Sequence, residues 1–99
     1  MINVYNESDW VNSVGNDLAQ INRKHLISTI SCEGRHLFWL FETFEELFLW
    51  WKSEDYDGPS NDDEIVDFIA HGVKITSYSN FGELMEQLES YYTLRDYVQ

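Results

Sequence analysis

The stretch His25-Leu-Ile-Ser-Thr-Ile-Ser-Cys32, Glu33-Gly34, Arg35-His-Leu-Phe-Trp-Leu-Phe-Glu42 decides the fold. Its first part is rich in β-branched residues, and Leu26, Ile30 and Cys32 fall on one side of an extended chain. Glu33-Gly34 supplies a tight connection, so 35–42 is expected to return as the second strand of an antiparallel hairpin. Leu37 to Phe41 is an unbroken apolar run, which requires cover on both faces of that strand.

Helices are expected on either side of the hairpin. Upstream, Trp10, Val14, Leu18 and Ile21 recur at helical spacing over residues 8–22, with Ser8 as N-cap and Val11 widening the stripe. Gly15 weakens that helix by about 1 kcal/mol relative to Ala. Downstream, Thr43-Phe-Glu-Glu46 is a capping box that opens a helix from Phe44 to Lys52. Phe44, Leu47, Phe48 and Trp51 form its stripe, and Leu49 and Trp50 fall outside it, so the helix is either deeply buried or exposes a patch. After the turn cluster Asp57-Gly58-Pro59-Ser60-Asn61, residues 62–71 read as a short helix with Asp62, Asp63 and Glu64 in its first turn and Gly72 just past its end. Val73 to Tyr78 reads as a third strand. A second capping box, Asn80-Phe-Gly-Glu83, opens a last helix with the stripe Phe81, Leu84, Met85, Leu88, Tyr92 and Arg95. The expected order is α-β-β-α-α-β-α, an α+β fold with a small antiparallel-containing sheet of about three strands and about four helices, in a single domain over 1–99.

Charge bounds the function. The chain carries 18 acidic and 6 basic residues, a formal net charge of −12 on 99 residues. Seven carboxylates, Glu54, Asp55, Asp57, Asp62, Asp63, Glu64 and Asp67, fall in one short segment without a Lys or Arg between them. No basic stripe exists to neutralise phosphates, and anionic lipid surfaces would repel the chain, so neither direct nucleic-acid binding nor membrane binding is expected. A cationic protein is the natural counterpart. Cys32 is the single cysteine, no basic and apolar leader opens the sequence, and no apolar run spans a bilayer, so a cytoplasmic protein is expected.

Catalytic and cofactor chemistry has little footing. Gly-x-Ser-x-Gly, Ser-x-x-Lys and Gly-x-Gly-x-x-Gly are all absent. Carboxylates abound, and a buried pair could serve an enzyme, but abundance singles out none. His25, His36, His71 and Cys32 match no zinc spacing. Residues 53–64 resemble an EF-hand calcium loop, with Asp55, Asp57, Gly58, Asn61 and Glu64 at the expected places. Ser53 stands where that loop opens with Asp, and Ser60 where it carries an apolar residue. No enzyme, cofactor or metal site is expected.

Small, acidic, aromatic-rich chains without a catalytic motif resemble bacterial immunity proteins that neutralise nuclease toxins, as in colicin and contact-dependent growth inhibition systems. The likeness is one of size and charge. It implies an inhibitor that covers a toxin's basic cleft, by electrostatic steering followed by aromatic anchoring. Glu54, Asp55, Asp57, Asp62, Asp63, Glu64 and Asp67 would supply the charges, and Trp50 and Tyr56 the anchors. The alternative is a phage-encoded nucleic-acid mimic acting on restriction or CRISPR machinery.

Overall fold

The computed structural model describes residues 2–14, 17–75 and 77–98. Its elements are β1 (Asn3–Asn6), α1 (Glu7–Ser13), α2 (Leu18–Arg23), β2 (His25–Ile30), β3 (His36–Phe41), α3 (Phe44–Trp51), β4 (Glu64–Ala70), β5 (Val73–Lys74) and α4 (Phe81–Val98). The sheet is antiparallel throughout, with spatial order β1-β3-β2-β4-β5.

The hairpin forms as expected and sits at the centre. Leu37 to Phe41 are indeed covered on both sides. Trp39 and Phe41 join Ile27, Leu47, Phe68, Phe81, Leu84 and Met85 under α3 and α4. Phe38 and Leu40 join Leu26, Trp10, Val14 and Ile21 under α1 and α2. The turn is longer than Glu33-Gly34 alone: the Ser31 amide donates to the Arg35 carbonyl at 3.0 Å, and Cys32 lies exposed outside the strand.

The mixed α+β class holds, and among the described residues there are four helices, but the sheet has five strands rather than about three. The expected helix at 62–71 is strand β4. The reason lies in its pairing with β2, where Asp67 faces Ser28 but Ile65 faces Thr29, leaving Val66 as an extra, bulged residue. A bulge breaks the two-residue alternation, so Ile65 and Phe68 come to share the α3/α4 side while Ile69 turns to the other. Apolar residues at i, i+3 and i+4 then mimic a helical stripe. Gly72 does adopt a positive φ of 79°, but as half of a hairpin turn with His71 (φ 49°) between β4 and β5.

The strand expected over 73–78 shortens to β5, and Thr76 within that span lies outside the described residues. β1 was not expected at all: four residues give too little periodicity, and its pairing with β3 is long-range. The helix expected over 8–22 is two helices. α1 is capped by Asn6 rather than Ser8, the Asn6 side chain accepting from the Asp9 amide at 2.8 Å. Val11 is exposed, away from the buried stripe. Gly15 and the Leu18 side chain lie outside the described residues, as do the side chains of Tyr92 and Arg95.

The N-cap half of each capping box forms, and the return bond of Glu83 goes to Ser79 rather than to the Asn80 amide. Thr43 Oγ1 accepts from the Glu46 amide at 3.1 Å, and Asn80 Oδ1 from the Glu83 amide at 2.8 Å. The Glu83 carboxylate accepts from the amide and hydroxyl of Ser79, which hold its pKa below the usual carboxylate range. Among the described residues, no helix is long and apolar enough to cross a membrane.

The bulge and the core respond differently to truncation. Leu84→Ala should cost about 2–5 kcal/mol in urea unfolding, because Leu84 is fully buried. Val66→Ala should stay within about 0.5–1 kcal/mol, since the bulged side chain is exposed and leaves no cavity. Equal losses would mean that Val66 is a core residue.

Candidate functional site

Trp50 is delivered by α3 and Tyr56 by the loop that follows. Trp39 on β3 packs under Trp50 with ring centroids 5.3 Å apart, and Trp50 meets Tyr56 edge-on at 4.8 Å. The Trp39 indole nitrogen donates to Thr29 Oγ1 at 3.0 Å, which fixes that ring against the sheet. Tyr56 O–H donates to the Pro59 carbonyl, closing the loop on itself. Burial, with the carboxylates of Asp63 and Asp57 nearby, pushes the Tyr56 phenol well above its ordinary pKa, so it stays a donor.

The 53–64 loop is pinned at both ends. The Tyr56 amide donates to the Ser53 carbonyl, and the Asp63 amide to that of Ser60 at 3.0 Å. The start of α4 then grips the loop: the Phe81 amide donates to the Asp63 carbonyl at 2.9 Å and the Gly82 amide to that of Asn61 at 3.0 Å.

On this frame Glu54, Asp55, Asp57 and Asp62 are exposed, and Asp63 is half-buried with Oδ2 accepting from the Ser60 amide. Among the described residues, no Lys or Arg pairs with any of these five or with Glu64. Glu64 and Asp67 are not part of the same face. Their partners across the sheet are Ile30 and Ser28, and cross-strand partners share a side, so both point toward the α1/α2 side. Asp67 is also tied at 2.9 Å to Lys74. The structure therefore brings together Trp50, Tyr56, Asp57 and Asp63, leaves Glu54, Asp55 and Asp62 exposed on the same loop, and turns Glu64 and Asp67 to the other side of the sheet.

Sequence reasoning did not include four residues that complete this region. Ile2 and Val4, with Trp39 and Glu46, join Trp50 and Asp57 around an open cleft of about 430 Å3. Ile2 and Val4 belong to the unexpected β1 segment. Glu46 was legible only as a capping residue.

The calcium-loop likeness does not extend to the fold. The segment after the loop is a strand, not a helix, and Glu64 points away from Asp55 and Asp57. Among the described residues, no three His, Cys, Asp or Glu side chains are grouped to hold a metal ion.

Two other polar clusters stand apart. Ser28 and His36 Nε2 share a hydrogen bond, and His36 Nδ1 lies 3.4 Å from the Glu7 carboxylate, the order of a serine–histidine–acid relay. The Ser28 hydroxyl has no accessible surface, so no substrate can reach it, and the row ties the start of α1 to the sheet. On the other face, His25 is buried between Phe41 and Phe44 with His71 at 4.4 Å, beside a second cleft of about 410 Å3.

No protein-family model, no curated protein and no solved structure matches this chain.

Two outcomes check this geometry. A Cβ on Gly58 would lie 2.1 Å from the Trp50 ring and 2.7 Å from that of Tyr56. Gly58→Ala should therefore displace Trp50, cost about 1–3 kcal/mol and alter the near-ultraviolet circular dichroism; an unchanged spectrum would contradict the contact. Burial, and then the charge of His71, hold the His25 pKa below its ordinary value. As pH falls below about 6.5, the unfolded chain takes up this proton before the folded one, so stability drops as the solution is acidified. His25→Phe should flatten thermal stability between about pH 7 and pH 5.5; a slope that the substitution leaves intact would place the titration elsewhere.

Proposed function

We propose that the chain is an immunity protein, a binding protein that neutralises a cationic nuclease toxin in the cytoplasm by covering its basic cleft. The observation that carries this reading is the loop after α3. Glu54, Asp55, Asp57, Asp62 and Asp63 have no cationic partner among the described residues, and they flank Trp50 and Tyr56 on a loop pinned to α4.

Unpaired exposed charge of one sign raises the encounter rate with an opposite surface and sets its orientation. It adds less to the final affinity, which requires desolvated anchors. Indole and phenol rings beside the carboxylates fill that second role. A loop held in place before docking also loses less entropy on binding than a mobile one. Glu64 and Asp67 drop out of the docking face and contribute only to the long-range field.

The test is to capture partners from the source cell with the immobilised chain and identify them by mass. A basic nuclease domain whose activity stops at one equivalent of the chain supports the proposal. A partner from restriction or CRISPR machinery, or one whose activity is untouched, overturns it. With that nuclease, the triple change Glu54→Gln, Asp55→Asn and Asp57→Asn should slow association by roughly 10-fold at low salt. The deficit should shrink as ionic strength rises and screening shortens the field. The pair Glu64→Gln and Asp67→Asn should change the rate by no more than about 2–3-fold.

A further inference from the structure

The cleft between β1, β3, α3 and the 53–64 loop has a composition that its acidic surroundings alone do not explain. Its floor is Trp39 and its wall is the half-buried Trp50; Ile2 and Val4 form the opposite side. Two carboxylates, Glu46 on α3 and Asp57 on the loop, line the same space. An apolar side chain would strip water from the exposed Asp57 carboxylate and return no hydrogen bond to it. An anion would be repelled. A cation that carries its own apolar surface satisfies every wall.

We infer that this cleft receives an arginine side chain of the cationic partner. The inference rests on the inhibitor reading above and identifies the contact that anchors it. A guanidinium is planar and weakly hydrated, so it stacks on an indole at lower desolvation cost than an ammonium does. Its fork of N–H donors can engage one carboxylate with two parallel hydrogen bonds while its other donors reach a second. The methylene stem covers Ile2 and Val4. The space, about 430 Å3 and open to solvent, admits one long side chain together with the water that hydrates its charged end.

Two further features favour a protein-borne arginine. β1 is an edge strand, so the cleft opens beside unpaired main-chain groups that an extended partner segment can meet. And α3 already holds one cation on an indole, with Lys52 Nζ 4.8 Å from the centre of the Trp51 ring.

The experiment is a titration of the full chain with the capped tripeptide acetyl-Gly-Arg-Gly-amide, followed by the indole N–H resonances of Trp10, Trp39, Trp50 and Trp51. The expected result is saturable, low-millimolar binding (~1–10 mM) that shifts Trp39 and Trp50. The citrulline analogue, which has the same shape without the charge, should not bind, and the lysine analogue should bind several-fold more weakly. Asp57→Asn and Glu46→Gln should each weaken binding about fivefold. Asp57 is exposed, so Asp57→Asn keeps the test valid if the further variant Trp50→Leu fails to fold. Equal binding of the citrulline peptide, shifts of equal size at Trp10 on the opposite side of the sheet, or an unchanged Asp57→Asn titration would each overturn the inference. Deca-arginine separates the two levels. If it binds with strong salt dependence and Trp50→Leu leaves that binding unchanged, the cleft assignment fails while the acidic docking face stands. If neither peptide binds, both fail.

Discussion

Burial of the β2–β3 hairpin on both faces is the constraint from which the remaining architecture follows. Ile27, Trp39 and Phe41 need a cover on one side, and Leu26, Phe38 and Leu40 need one on the other. The single α3/α4 layer cannot serve both, so the chain places helices above and below one sheet. Each flanking strand then completes the backbone hydrogen bonding of the pair: β1 along β3, and β4 along β2. A substitution that relieves the need for cover on one side would release α1 and α2 from the apolar cluster that Leu26, Phe38 and Leu40 form with Trp10, Val14 and Ile21.

What could be read in the chain follows the range of the interactions involved. The hairpin, α3 and α4 depend on local patterns: β-branched runs, Thr43 before Glu46, Asn80 before Glu83. These survive folding unchanged. β4 does not, because its residue pattern makes sense only after Val66 is set aside as a bulge, and that bulge exists only against β2. β1 is similarly invisible, since Asn3 to Asn6 become a strand through partners more than thirty residues away. For the expected helix over 8–22, Gly15 counted against continuity and was outweighed by the continuing apolar stripe.

The same division applies to the site. The carboxylates and their aromatic neighbours are contiguous in sequence, so the loop carrying them was legible. Which of them act together was not. Glu64 and Asp67 follow Asp63 closely, yet entering a strand turns them to the other side of the sheet. Conversely, Ile2, Val4 and Trp39 reach the cleft from distant parts of the chain. The charged component of the surface is written locally, and its apolar component is assembled by topology. The charged region is therefore legible in the sequence, and the pocket within it is not.

The position of β1 also bears on how the molecule is made. It precedes β3 in synthesis but can pair only once β3 has been translated and has begun to bend back along β2. Closing a loop of that length is entropically slower than closing the hairpin. β1 is thus seated after the hairpin has formed, and until then one edge of β3, rich in Phe and Trp, lies open. During biosynthesis this transient edge is open to misassembly, and the wall that Ile2 and Val4 supply to the cleft is built only once it has been closed.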